Sequence, residues 1–280
     1  MGNQSRSQPA HLVSRLKLFG ERNTGTNYLE ALLADNVYCA VCPGNLSEQR
    51  RLVYKVLHNS LPYQLARKII EANRDTEYHR RFEDELGWKH ARIPNLPNGL
   101  SAYPDGTGFI ALVKNPYAWL LSMHKRPYQN ENLNEVPFSD FIRRPWFTVG
   151  REHSGVPYYQ NAVQMWNDKV GSYLNLKDYG PSLIVRYEDV LRSPEDFIER
   201  VASTFRVSKA LEIVSPGKST KEDGRTTADI ASYYLEERWR AKLQGKDVEY
   251  INGILDSELV SRMGYGLISP VAIRCMFEAL

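Results

Sequence analysis

Cysteine is scarce in this chain of 280 residues: only three are present, too few for a disulfide framework. Cys39 and Cys42 form a C-x-x-C, but no second pair completes a zinc site, so small buried residues in a reducing cytoplasm are expected. A one-sided charge is lacking too. The 36 Lys and Arg against 33 Asp and Glu leave +3, which argues against a dedicated nucleic-acid binder yet allows a local basic pocket for a small anion. No apolar run approaches the roughly 20 residues of a membrane span. The polar start, Met1 to Ala10, has no apolar secretory stretch and reads as a flexible tail. Gly2 is followed at position 6 by Arg6 rather than Ser or Thr, so the myristoylation pattern fails. Internal repeats and low-complexity stretches are absent, and scattered Pro and Gly mark no linker, so a single domain over 1–280 is expected.

What is present is an alternation of short β-type runs with amphipathic stretches. Strands are expected at His11 to Phe19, Val37 to Val41, Leu52 to Leu57, Phe109 to Val113 and Ser182 to Val185. The apolar run Phe109-Ile-Ala-Leu-Val suits a central parallel strand buried on both faces. Helices are expected at Asn27 to Ala34, Leu61 to Asn73, Tyr78 to Leu86, Tyr117 to His124 and Pro194 to Phe205, with a mostly helical stretch from Thr226 to Met263. Trp239, Leu243, Ile251, Ile254, Leu255 and Leu259 are core candidates in that last third. The fold class is therefore α/β: a central parallel sheet flanked by helices in three layers, with a helical C-terminal third. Arg126 to Val136 and Pro145 to Pro157 are polar, irregular and long enough to cover a substrate.

The strongest local signal is Gly20-Glu-Arg-Asn-Thr-Gly25-Thr26-Asn27, between a strand and a helix. Glycines five apart let backbone N–H groups converge on an anion at the positive end of the helix. A nucleoside-triphosphate loop would carry Lys after the second glycine, where this chain has Thr26, and Arg22 is the loop's only cation. The turn thus suits a monophosphate-like group rather than a magnesium–triphosphate tail. Further on, Lys114 ends the central strand and Ser122 follows eight residues later, a spacing that lets both grip one phosphate.

Together these motifs resemble the sulfotransferases that use 3′-phosphoadenosine 5′-phosphosulfate (PAPS). Asn23-Thr24-Gly25-Thr26-Asn27 stands in place of the [KR]-[ST]-G-[ST]-T core for the 5′-phosphosulfate. Lys114-Asn115 and Ser122 match the R-N-x(7)-S element for the 3′-phosphate, and Val185-Arg186-Tyr187-Glu188-Asp189 matches a later [VY]-x-Y-E-D run. The resemblance covers roughly residues 12 to 207. It implies a P-loop-type fold, PAPS as donor with no metal, and in-line transfer of a sulfonate to a hydroxyl or amine of a small-molecule acceptor. Trp88-Lys89-His90, with Pro94 beyond, resembles the K-x-H-x-P element, which implies His90 as general base; His58 is its rival. Two residues before the glycine, where the resemblance puts a cation, stands Asn23. Arg22 either supplies that charge or forms a structural ion pair, and Lys89 is the second candidate. Tyr28 and Tyr187 fall where the resemblance places groups near the adenine. Lys218, Lys221 and Arg225 are candidates for a late basic loop on the 3′-phosphate. Lys114 in place of arginine offers a point charge without a bidentate fork. An acidic and aromatic rim at Glu131, Glu135, Asp140, Glu152, Tyr158 and Tyr159 would suit a cationic acceptor. Two alternatives stand beside this reading: a P-loop small-molecule kinase, and a non-catalytic relative that binds an adenine nucleotide. Neither a nucleic-acid nor a membrane partner is expected.

Overall fold

The computed structural model describes residues 13–42, 44, 48–96, 100–217 and 224–273. The tail at 1–10 and the candidates Lys218 and Lys221 lie outside them. β1 (Arg15–Gly20) leads into α1 (Thr26–Asn36) and β2 (Ala40–Val41), followed by α2 (Glu48–Ser60), α3 (Tyr63–Arg80) and the short α4 (Phe82–Glu85). The chain returns as β3 (Thr107–Val113) and α5 (Pro116–Lys125), then α6 (Phe138–Phe141) and a small hairpin of β4 (Trp146–Phe147) and β5 (Tyr158–Tyr159). After α7 (Ala162–Ser172) come β6 (Ser182–Arg186), α8 (Tyr187–Arg192) and α9 (Pro194–Phe205). The last described segment carries α10 (Thr227–Leu235), α11 (Gly245–Asn252) and α12 (Ser257–Arg262).

The sheet has the order β2-β1-β3-β6, and every neighbouring pair is parallel. All seven residues of β3 are buried, and its side chains alternate between two cores. Phe109, Ala111 and Val113 face a core built with α5, α7 and the C-terminal helices. Ile110 and Leu112 face a second core with Leu16 and Leu18 of β1, the Leu29–Leu32–Leu33 stripe of α1, and Phe197, Ile198 and Val201 of α9. That double burial explains the unbroken apolar run, and it confirms the α/β class with a parallel sheet covered on both faces. Trp239, Leu243, Ile251, Leu255 and Leu259 are buried as expected, and Ile254 is partly so.

One expected strand is a helix. Leu52 to Leu57 lies inside α2, where Tyr54 is buried while Leu52, Val53 and Val56 are 69%, 55% and 63% exposed. Val53 and Val56, the β-branched residues of this stretch, are three apart, a helical spacing, and the segment takes no part in the sheet. Tyr54 and His58, four apart, instead share one helical face over a cavity. The helix expected at Tyr78 to Leu86 is split at Arg81, with Tyr78 finishing α3 and α4 following.

Register sets the geometry of the site. Gly20 pairs with Leu112, and Leu112 with Val185, so the carboxyl ends of β1, β3 and β6 end in one row. The segments that leave them, Glu21 onward, Lys114 onward and Tyr187 onward, therefore emerge side by side. Because β1 and β3 are neighbours while β2 lies on the far side of β1, the crevice between them is the point where strand order reverses. Ligands of open α/β sheets bind at that point.

Candidate functional site

The turn from Gly20 to Asn27 leaves β1 and enters α1. Gly25 caps the helix at φ 100°, a left-handed backbone that a side chain rarely adopts. A Cβ there would lie 2.3 Å from the Tyr187 ring. Thr24 Oγ1 donates to Glu21 O, which folds the turn, and Asn23 takes φ 64°. The backbone N–H groups of Gly25, Thr26, Asn27 and Tyr28 have no hydrogen-bond acceptor among the described residues. Four N–H groups without an acceptor at one helix start are a donor set of the kind that binds anions. Tyr28 itself is buried in the second core.

A buried cation adjoins this turn. Lys114 is buried, and its Nζ lies 3.2 Å from Ser122 Oγ and donates to Asn23 O at 3.2 Å. The ammonium sits 3.8 Å from the centre of the Tyr234 ring and 5.2 Å from that of Tyr187. No carboxylate pairs with Lys114 among the described residues. Ser122 opens onto a cleft of about 100 Å³ whose charged lining is Lys125, Arg126, Arg225 and Lys242, with Tyr233 and Tyr234. An uncompensated buried cation beside a basic cleft is costly unless an anion completes it. Asn23 ties the two sites together: its Nδ2 donates to Ser122 O at 3.1 Å and to Arg126 O at 3.2 Å. The structure thus gathers Lys114, Ser122, Tyr187 and Arg225, which the sequence singled out separately. Tyr187 packs as a wall between Gly25 and Tyr234.

His90 stands on the other side of the turn. Its Nδ1 lies 2.5 Å from Gly20 O. A carbonyl only accepts, so Nδ1 carries the hydrogen and Nε2 keeps its lone pair. Burial first, then the charges of Lys89 and Arg22, hold the imidazole well below its usual pKa, and the ring is neutral at pH 7. His124 is occupied elsewhere, with Nε2 on Val136 O at 2.7 Å between Phe138 and Phe141. His58 lies on α2 and lines the same cavity as His90. Lys89 is buried, with Nζ 2.8 Å from Asn27 Oδ1 and 2.7 Å from Glu30 Oε2, which brings its charge to the head of α1.

Arg22 forms the structural ion pair that was one of its two expected roles. Its Nη2 bonds Glu152 Oε1 at 2.6 Å, and the guanidinium lies 4.6 Å from the Trp88 ring centre. Lys169 Nζ completes a buried quartet, 2.7 Å from both Glu21 Oε1 and Glu152 Oε2, and donates to His90 O at 2.9 Å. Burial alone would raise the Glu152 carboxyl, but Arg22 and Lys169 outweigh it and lower its pKa to about 2. Arg22 still lines the cavity beside His90, and its Nη1 has no hydrogen-bond partner among the described residues.

Sequence reasoning missed Glu21 and Lys169 and placed Glu152 on a rim, although all three are buried. It also missed Lys125 and Arg126, whose signal was available: they follow Ser122 at three and four residues, the spacing that shares a helix face. No group of three His, Cys, Asp or Glu able to hold a metal occurs among the described residues. Nor is any helix among them long and apolar enough to cross a membrane.

No protein-family model matches the chain, and neither does any curated protein. Among solved structures it is similar to the sulfotransferase domain from the curacin biosynthetic pathway, at TM-score 0.45 and 15% identity, covering 94% of this chain and 100% of that one. It is also similar to the sulfotransferase domain from the Synechococcus PCC 7002 olefin synthase, at TM-score 0.42 and 16% identity, covering 84% and 91%.

Proposed function

We propose that this chain is a sulfotransferase that moves a sulfonate from PAPS to a hydroxyl or amine of a small acceptor. The observation that carries the reading is Lys114, a buried ammonium with no described carboxylate, joined through Asn23 to a second cradle of free N–H groups. Two anion sites sharing one residue suit a nucleotide with two separate phosphates. The cradle fits the 5′-phosphate, and Lys114, Ser122 and Arg225 fit the 3′-phosphate. When bound, the donor supplies an SO3 unit whose bond to the 5′-phosphate oxygen breaks as a new bond to the acceptor forms.

The chain's own residues do the rest. His90 Nε2 accepts the acceptor's proton, with Nδ1–H anchored on Gly20 O and the ring kept neutral by burial first and then by its cationic neighbours. The N–H groups from Gly25 to Tyr28 and the nearby Lys89 oppose the negative charge left on the 5′-phosphate oxygen. Arg22, held by Glu152, places fixed positive charge between the turn and the cavity.

Calorimetry with 3′,5′-diphosphoadenosine, followed by turnover of an acceptor panel with PAPS, tests this. The wild type binds the diphosphate and forms sulfated product, while His90→Ala lowers kcat by about 100-fold and leaves diphosphate affinity unchanged. Phosphorylated product from ATP and magnesium would establish a kinase instead. Diphosphate binding with no sulfated product would establish a nucleotide-binding relative.

A further inference from the structure

The cavity beside His90 has a volume of about 510 Å³ and lies between the Arg22 turn, Trp88–His90, Arg151 and one face each of α2 and α3. On α3 that face is Tyr63, Arg67, Ile70, Glu71, Arg74 and Tyr78, which recur at helical spacing. Its charged lining is four arginines, Arg22, Arg67, Arg74 and Arg151, against one carboxylate, Glu71. Of the rim that suggested a cationic acceptor, Glu135, Asp140, Glu152, Tyr158 and Tyr159 are not among its lining residues.

The carboxylates here are already engaged. Glu71 holds Arg74 at 3.0 Å and Arg151 at 2.6 Å, Asp75 holds Arg151 at 2.9 Å, and Glu152 holds Arg22. Asp75 and Glu152 do so from outside the lining, while Glu71 is spent within it on Arg74 and Arg151. Arg67 is the lining arginine with no ion pair among the described residues. Aromatic walls come from Trp88, Tyr54, Tyr63, Tyr78 and Tyr128.

We propose that this cavity binds an acidic acceptor: a hydroxyl compound whose ring packs on these aromatics and whose carboxylate or other oxyanion pairs with Arg67. The inference rests on the sulfotransferase reading and names the substrate class of that same site. His90, on the cavity wall nearest the Gly20 turn, receives the hydroxyl end, and Arg67 selects the anionic end.

The probes are 4-hydroxyphenylacetate, p-cresol and tyramine, matched phenols that are anionic, neutral and cationic. Each is titrated calorimetrically into the full chain saturated with 3′,5′-diphosphoadenosine. The acid binds about tenfold or more tightly than tyramine, as a charge-assisted pair implies. Arg67→Ala removes that preference, Arg67→Lys restores part of it, and both leave p-cresol and diphosphate affinity unchanged. Equal or tighter tyramine binding, a preference that survives Arg67→Ala, or failure of all three phenols to bind would overturn the proposal. Diphosphate affinity in the same samples separates the two failures: if it persists, the acceptor inference alone falls; if it is absent, the donor reading falls with it.

Discussion

Replacing Glu152 with glutamine tests the ionic quartet on which the turn leans. Glu21, Arg22, Glu152 and Lys169 are all buried, two anions against two cations. Glu152→Gln leaves both cations facing Glu21 alone, and an uncompensated buried charge costs about 3–5 kcal/mol. The depressed carboxyl implies an effect of the same order: a group held at about 2 rather than 4.5 stabilises the fold by about 3 kcal/mol. Because the folded value is depressed, that stability is fully present above pH 4.5 and is lost as the pH falls toward 2. Urea unfolding followed by fluorescence at neutral pH, then at steps down through that window, measures both. The wild type loses stability steeply across the window, and the variant starts lower and declines less. A loss at neutral pH under about 1 kcal/mol, the size of an exposed pair, would show that the quartet does not hold the turn.

Two further outcomes follow from the anion sites. Gly25→Ala puts a methyl at φ 100° against the Tyr187 ring, a strain of about 1–2 kcal/mol before the clash, and calorimetry should find diphosphoadenosine binding lost in a chain that still folds. Lys114→Ala with Ser122→Ala weakens diphosphoadenosine at least tenfold while 5′-AMP, which lacks the 3′-phosphate, is little affected; equal losses for both nucleotides would place the 3′-phosphate elsewhere.

Much of the sheet was legible because β3 is buried on both faces and says so in five consecutive apolar residues. The Lys114–Ser122 contact was legible because one helix start fixes the spacing of both ends. The ionic quartet was not, since Arg22 and Glu152 meet across 130 positions and a charged residue in a sequence gives no sign of being buried. The cavity beside His90 was hidden for a related reason. Leu52 to Leu57 is apolar and short like a strand, yet α2 exposes Leu52, Val53 and Val56 and sets Tyr54 and His58 along the cavity. Without that helix, the wall of α3 arginines has nothing to face, and acidic loop residues drew the eye instead.

Asn23 has a role that neither anion site shows alone. Its carbonyl accepts from Lys114, and its amide clasps the end of α5 at Ser122 and Arg126. If the nucleotide binds as proposed, both of its phosphates would bear on this one residue, and any coupling between them would be reciprocal. On that reading a mononucleotide would engage Asn23 from one side only, and a single side-chain amide would be where the two halves of the ligand meet.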